Sequence, residues 1–327
     1  MPTPRPHDQA LPSVPPVRAF RTPGRPRLHV ETTGEGEAVL AITGWTISTA
    51  IFRPFAGVLP DGMRPILFDH RGAGRSGAWA GPVSVAMLAA DAARVLDACD
   101  VRSAHVIGVS LGAAVAIELA VRMPWRVRSL ALVGGWSGGP LSATPGAAEG
   151  ARTLATLARD SARRGRLWPA SFLFSPAFRT SADPATLDAA VRPFLVGRAG
   201  TWVASTQALA ASCFNRRTDL GAIRCPTLVA HGELDAMSPV RNARTMAAAI
   251  PGSRLEVLPG GHAFPFEDPA GTAELCRSWF EDVRGTEPPV EATPRDLAVE
   301  RLTRPFALQT GLVRNQRDLA LRLLGRG

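Results

Sequence analysis

Lysine and tyrosine are absent from this chain of 327 residues, so all 37 of its basic residues are arginines. The formal net charge of +9 raises the question of nucleic-acid binding. The arginines are scattered, however, and they form no basic stripe that alternates with aromatic residues. We therefore interpret the arginine content as a compositional bias in which arginine replaces lysine throughout, and we expect no nucleic-acid partner.

Cysteine is scarce, and the four cysteines lie far apart without a C-x-x-C pair. This spacing indicates neither a disulfide framework nor a zinc site, and it suits a reducing compartment. Long hydrophobic runs are also lacking. No stretch approaches the roughly 20 apolar residues of a membrane span, and the N-terminus has no apolar run of signal-peptide length. We expect a cytoplasmic protein that does not enter a membrane.

Apolar residues make up 46% of the chain, which is enough for a large core. Apolar runs predict strands near residues 27–32, 38–42, 65–68, 104–107, 127–133, 225–230 and 255–258. Helices are predicted near residues 84–98, 113–120 and 240–250. Strands that alternate with helices of this length predict an α/β fold with a mostly parallel central sheet flanked by helices.

The most informative motif is G-V-S-L-G at residues 108–112, which fits the pattern G-x-S-x-G. It lies between a predicted strand and a predicted helix, where a sharp turn presents a nucleophile above the edge of a sheet. Gly108 and Gly112 would relieve crowding in that turn, and Ser110 would be exposed at its tip. The context predicts that Ser110 is a catalytic nucleophile.

A serine hydroxyl needs a base, and the base needs an orienting acid. Asp235 follows the predicted strand at 225–230, and His262 follows the predicted strand at 255–258. All three residues would therefore lie at the carboxyl ends of parallel strands, where ligands and catalytic groups gather. Glu233 is an alternative acid two residues from Asp235. The strand at 127–133 is followed by no carboxylate, which favours Asp235.

Residues 27–283 resemble the α/β-hydrolase-fold family. Besides the serine motif and the order Ser, Asp, His, residues 69–76 resemble its D-x-R-G-x-G-x-S loop. Gly261 and His262, followed by Glu267 and Pro269, resemble its histidine loop.

The resemblance implies an oxyanion hole formed by the backbone N–H groups of Trp45 and Leu111. Residues 43–45 stand where the family usually carries His-Gly and an aromatic residue. Thr43 therefore departs from the family pattern. Because the usual histidine braces the loop, this departure concerns loop rigidity more than chemistry.

The resemblance also suggests a domain organisation. We expect a proline-rich arm at residues 1–26 that does not join the sheet, and a core at 27–137 and 223–284. Residues 138–222 would form a helical cap inserted over the active site, and residues 285–327 a helical extension that begins with Thr293 as its N-cap. We expect substrate contacts from five aromatic residues: Trp136, Trp168, Phe172, Trp202 and Phe264.

These residues predict a serine hydrolase that cleaves a carboxylic ester of a small, largely apolar substrate through an acyl-enzyme, with no metal and no cofactor. The same triad would also serve a lactonase, a thioesterase, a carbon–carbon bond hydrolase or a cofactor-free perhydrolase. A non-catalytic receptor or scaffold is a further alternative, because a fold does not fix a function. The sequence leaves both the substrate and homo-oligomer formation open.

Overall fold

The computed structural model describes residues 17–138, 170–294 and 296. Eight strands in these residues form one sheet in the order β1-β2-β4-β3-β5-β6-β7-β8. Their bounds are Arg18–Arg21 (β1), His29–Thr32 (β2), Glu37–Ile42 (β3), Met63–Phe68 (β4), Ala104–Val109 (β5), Val127–Val133 (β6), Thr227–Gly232 (β7) and Arg254–Leu258 (β8). Strands β3 to β8 are parallel to one another, whereas β1 and β2 are antiparallel to their neighbours. The predicted fold class is confirmed.

The first strand corrects the prediction that residues 1–26 stay outside the sheet. In β1, Arg18 pairs with Thr32 and Arg21 pairs with His29, so the end of the supposed arm forms the edge of the sheet. The four residues of β1 contain no proline, and an edge strand needs backbone hydrogen bonds on one side only. Proline content judged over the whole segment concealed this short proline-free stretch. Residues 1–16 lie outside the described residues.

Helices cover both faces of the sheet. The described α-helices are Arg53–Ala56 (α1), Val85–Ala98 (α2), Leu111–Arg122 (α3), Ala170–Leu173 (α4), Pro176–Ser181 (α5), Pro184–Leu195 (α6), Thr201–Cys213 (α7), Arg241–Ala249 (α8), Phe264–Glu267 (α9) and Pro269–Asp282 (α10). One core cluster joins α2 and α3 to one face, and a second joins Phe52, Phe264 and Phe280 to the other. None of the helices in the described part of the chain has the length and apolarity needed to cross a bilayer.

The segment between β6 and β7 is helical where it is described, in α4 to α7. It contacts the loop after β3, because the Trp45 indole N–H donates to the Ala204 carbonyl at 2.8 Å. The Gln207 side-chain oxygen accepts a 3.0 Å hydrogen bond from the Thr46 N–H. These contacts hold the inserted helices beside the carboxyl end of β3.

Beyond α10, Thr293 caps a helical turn as predicted. Its hydroxyl accepts a 3.2 Å hydrogen bond from the Asp296 N–H. The Asp296 carboxylate in turn accepts from the Thr293 N–H at 2.9 Å. This is the reciprocal pattern of a capping box. The rest of the predicted extension lies outside the described residues.

Candidate active site

Ser110 occupies a strained turn between β5 and α3. Its backbone dihedrals are φ 56° and ψ −118°, a region that costs a non-glycine residue energy and is concentrated at functional sites. The Ser110 N–H donates to the Val133 carbonyl at 2.8 Å, and the Ala113 N–H donates to the Ser110 carbonyl at 2.9 Å. Strand β6 and the first turn of α3 therefore fix the serine backbone from both sides.

The two glycines of the motif stand where no side chain fits. A Cβ atom at Gly108 would lie 2.3 Å from the Gly112 carbonyl oxygen, and one at Gly112 would lie 2.1 Å from the Ile42 carbonyl oxygen. Both obstacles are backbone atoms, which cannot move aside cheaply. Glycine is therefore required by close approach in this turn.

Asp235 is buried just beyond β7, and its carboxylate is held by four contacts. Oδ1 accepts hydrogen bonds from the backbone N–H groups of Met237 and Ser238, each at 2.8 Å. Oδ2 lies 2.7 Å from His262 Nδ1 and 3.2 Å from His231 Nε2. Burial opposes its charge, but His262 and His231 outweigh that effect and hold the pKa of Asp235 well below its usual range. The carboxylate therefore stays ionised.

His262 shares the electrostatics of this pair. Burial disfavours the charged imidazole, but the Asp235 carboxylate outweighs burial and raises the pKa of His262 above its ordinary value. His262 lies close to the end of β6, because a Cβ atom at Gly134 would be 3.4 Å from His262 Cε1. The residue before Gly134 is Val133, whose carbonyl accepts the hydrogen bond from the Ser110 N–H. His262 and Ser110 both line one cavity, but no hydrogen bond joins them among the described residues. Such contacts are often long before substrate binds.

The loop after β3 lies against the serine turn. A Cβ atom at Gly44 would be 3.3 Å from Ser110 Cβ, and the next residue, Trp45, lines the cavity. Leu111 is the first residue of α3, so its N–H has no acceptor within the helix. The backbone groups for which the resemblance implies an oxyanion hole therefore belong to the two segments that flank Ser110.

A histidine from another loop braces the segment in which Thr43 departs from the family pattern. His70 Nε2 donates to the Thr43 carbonyl at 3.0 Å. Burial lowers the pKa of His70, so this fully buried imidazole is neutral. This role of His70 could not be predicted from local sequence patterns, because the contact depends on how two loops meet in space.

The loop that contains His70 is itself fixed. Asp69 accepts hydrogen bonds from the N–H groups of Thr49 at 2.7 Å and Arg75 at 2.8 Å. Arg71 forms a bidentate pair with Asp91 of α2, with both N–O distances at 2.7 Å. Both residues therefore make structural contacts that hold this loop.

The cavity that contains Ser110 and His262 has a volume of about 700 Å³ and mostly apolar walls. Two of the five aromatic residues predicted to contact substrate, Phe172 and Phe264, line it. Trp168 lies outside the described residues. The inserted segment also contributes Phe194 of α6 to the lining.

Two predicted substrate contacts are corrected by the structure. Trp202 is 57% exposed, and it does not line the cavity. The buried face of α7 consists of Val203, Thr206, Gln207 and Ala210, so Trp202 projects from a different face. Trp136 is half-buried and packs against the core cluster that contains α3, away from the cavity lining.

The fold and this arrangement of side chains define an α/β hydrolase. The sequence profile of the alpha/beta hydrolase fold matches residues 37–269, and the chain belongs to that family. This match confirms the resemblance inferred from the motifs.

Named relatives lie within the same family. A protein of Azorhizobium caulinodans, named "Putative carbamate hydrolase RutD", is 34% identical over 249 residues, which cover 72% of this chain and 88% of the relative. A thermophilic esterase from Thermogutta terrifontis is similar in structure, with a TM-score of 0.66 and 26% identity over 81% of this chain and 99% of the esterase. A hydrolase from Pseudomonas aeruginosa has a TM-score of 0.65 and 26% identity over 79% of this chain and 96% of its own.

Proposed function

We propose that this α/β hydrolase is a serine esterase that cleaves a carboxylic ester through an acyl-enzyme. The observation that carries the proposal is the 2.7 Å contact between Asp235 and His262 in the cavity that also contains the strained Ser110. A nucleophile, a base and an orienting acid are the three groups that acyl transfer requires.

In the proposed mechanism, His262 takes the hydroxyl proton of Ser110 as the oxygen attacks the ester carbonyl. Asp235 holds the Nδ1–H tautomer of His262 and stabilises the imidazolium that forms. His262 then gives the proton to the leaving alcohol, and an acyl-serine remains. Water activated by neutral His262 hydrolyses the acyl-serine and regenerates the enzyme.

The tetrahedral oxyanion would be stabilised by the N–H groups of Trp45 and Leu111. The loss of one such donor typically costs about 3 kcal/mol of transition-state stabilisation. The brace from His70 to Thr43 supports this role, because a hole of backbone donors works only if the loop is held still.

A carbamate is the second candidate substrate, because relatives of the chain are named as carbamate hydrolases. A carbamate carbonyl can be attacked by the same serine. The large apolar cavity favours an ester with an apolar acyl group. Phenyl esters and phenyl carbamates with matched leaving groups separate the two, and we expect a higher kcat/KM for the esters.

The direct test of the mechanism is Ser110→Ala. We expect the variant to keep its fold and to lose turnover of 4-nitrophenyl butyrate by roughly 10⁶-fold, as in other serine triads. A fluorophosphonate probe should add one label to the wild-type chain at Ser110 and none to the variant. Residual esterase activity close to the wild-type level would remove Ser110 from the mechanism.

A further inference from the structure

The cavity continues from Ser110 down one face of the sheet. Val109, Val133 and Ala230 line it as one row across β5, β6 and β7. Ile107, Ala131 and Leu228 form a second row, two residues further along the same strands, and they also line it. Because a strand rises about 3.3 Å per residue, this second row lies roughly 6.6 Å below the first.

The two faces of the sheet differ in how tightly they are covered. Ile107, Ala131 and Leu228 keep 3%, 2% and 3% of their surface accessible. On the opposite face, under α2 and α3, their chain neighbours Val106, Leu130 and Val229 keep 0%. Side chains in the middle of a parallel sheet are normally sealed on both faces. The residual access is therefore confined to the face that carries the cavity.

Helix α10 forms the other wall of this space. Its cavity-lining residues include Pro269, Thr272, Ala273, Cys276 and Phe280, which recur at helical spacing on one side of the helix. These positions span about three turns, or roughly 16 Å at 1.5 Å per residue.

The helix runs from the catalytic edge of the sheet to the opposite edge. It begins seven residues after His262, and the Gly285 N–H just beyond its end bonds Glu37, the first residue of β3, at 3.0 Å. At the far end, the Phe280 ring packs edge-on against the rings of His105 and Phe55. Phe280 has no accessible surface, so it closes the base of the space.

The described walls that α10 and these three strands form carry no charged side chain, although Arg198 lines another part of the same cavity. Apart from His262 at the catalytic end, the only ionisable side chain that α10 and these three strands contribute to the described lining is Cys276. Burial raises the pKa of Cys276 to about 12, so the thiol stays neutral. An unbranched hydrocarbon chain fits a space of this shape and polarity.

We infer that the acyl chain of the substrate lies between α10 and the sheet, and that the enzyme prefers linear acyl groups longer than butyrate. This inference rests on the proposed esterase function.

The test is a chain-length series of 4-nitrophenyl esters from acetate to hexadecanoate. For the wild type, we expect kcat/KM to rise about two- to fourfold per added methylene beyond butyrate until the chain fills the cavity, and then to fall. Ala273→Phe fills the channel, and it should lower the dodecanoate-to-butyrate ratio of kcat/KM at least tenfold relative to the wild type. Ala270→Phe is the matched control, because Ala270 is an exposed residue of the same helix that does not line the cavity.

The outcomes separate the inference from the function on which it rests. If Ala273→Phe does not fold, Ala273→Leu serves the same comparison with a smaller side chain. Turnover of butyrate without any gain for longer chains would overturn the channel but leave the esterase intact. An unchanged dodecanoate-to-butyrate ratio in the folded variants would do the same. If no ester reacts and the fluorophosphonate leaves Ser110 unlabelled, the proposed function fails, and the inference fails with it.

Discussion

At the scale of single residues, the site depends on the charge of Asp235. The structure gives this carboxylate three hydrogen-bonding partners and a fourth contact with His231 Nε2, and the carboxylate raises the pKa of His262. The base must be neutral to accept a proton from Ser110. We therefore expect wild-type kcat/KM to fall as the pH drops through the raised pKa of His262.

Asp235→Asn tests this coupling. Without the carboxylate, burial alone acts on His262 and lowers its pKa, so the acidic limb of the pH–rate profile should move to lower pH. The plateau should fall about 10⁴-fold, because the imidazole loses its tautomer and orientation. Glu233→Gln is the matched control, since Glu233 is an exposed carboxylate two residues away. An acidic limb that stays in place in Asp235→Asn would contradict the assignment.

The predicted triad rests on local patterns, because Ser110, Asp235 and His262 stand at strand ends in a recognisable order. Pocket residues are harder to predict, because they depend on which face of each inserted helix packs against the rest of the protein. On α7 the buried stripe includes Thr206 and Gln207, whereas Trp202 is exposed. Hydrophobicity alone therefore selected the wrong face.

At the scale of elements, the contact between α3 and β3 sets the position of the serine turn. The Gly112 backbone approaches the Ile42 and Thr43 carbonyl oxygens so closely that an added Cβ atom would lie 2.1 and 2.7 Å from them. The same contact brings the oxyanion loop against the start of α3. The packing of one helix on one strand thus positions both the proposed nucleophile and the loop after β3 that is proposed to stabilise the oxyanion.

Gly112→Ala tests the close contact between α3 and β3. The new methyl group meets only backbone, so we expect a loss of about 3 kcal/mol in the free energy of unfolding, the upper end of the usual cost of overpacking. Esterase activity should fall as well. In Gly221→Ala the nearest atom is 3.9 Å from the added Cβ, so stability should change by less than about 0.5 kcal/mol. Urea denaturation of the two variants makes the comparison, and equal stabilities would contradict the packing argument.

The positions of the central strands in the chain were predictable, because apolar runs of four to seven residues mark buried parallel strands. Strand β1 was not, because an edge strand of four residues with mostly exposed side chains carries little hydrophobic signal. By contrast, all four residues of its pairing partner β2 are buried. Edge pairing is decided by the exposed backbone of the neighbouring strand, which sequence patterns do not display.

At the scale of the whole molecule, several arginines form ion pairs with buried carboxylates. Arg71 pairs with Asp91, and Arg216 pairs with Glu118 of α3, whose carboxylate is also buried. The Arg216 contact ties the chain beyond α7 to the helix that begins at Ser110. In these two pairs arginine has a structural role, which fits the interpretation that arginine was chosen by composition rather than by a nucleic-acid partner.

Buried histidines should give the whole molecule a pH-dependent stability. Burial is the main cause that lowers the pKa of His29, His70 and His105 below the ordinary value. Each contributes stability that is present above about pH 6.5, the unfolded value, and lost as the pH falls towards the folded pKa, because the unfolded chain takes up the proton first. His262 has the opposite sign, since its raised pKa stabilises the fold at low pH and that contribution is lost as the pH rises through it. Three histidines outweigh one, so the free energy of unfolding should decrease from pH 7 to pH 5.

Two variants can resolve these opposing contributions. His105→Gln removes a group that disfavours the fold at low pH, so the decrease between pH 7 and pH 5 should become shallower. His262→Gln removes the group that favours the fold at low pH, so the decrease should become steeper. Urea denaturation at half-unit steps of pH gives both slopes against that of the wild type. If both slopes shifted in the same direction, the result would contradict the lowered pKa of His105 and the raised pKa of His262.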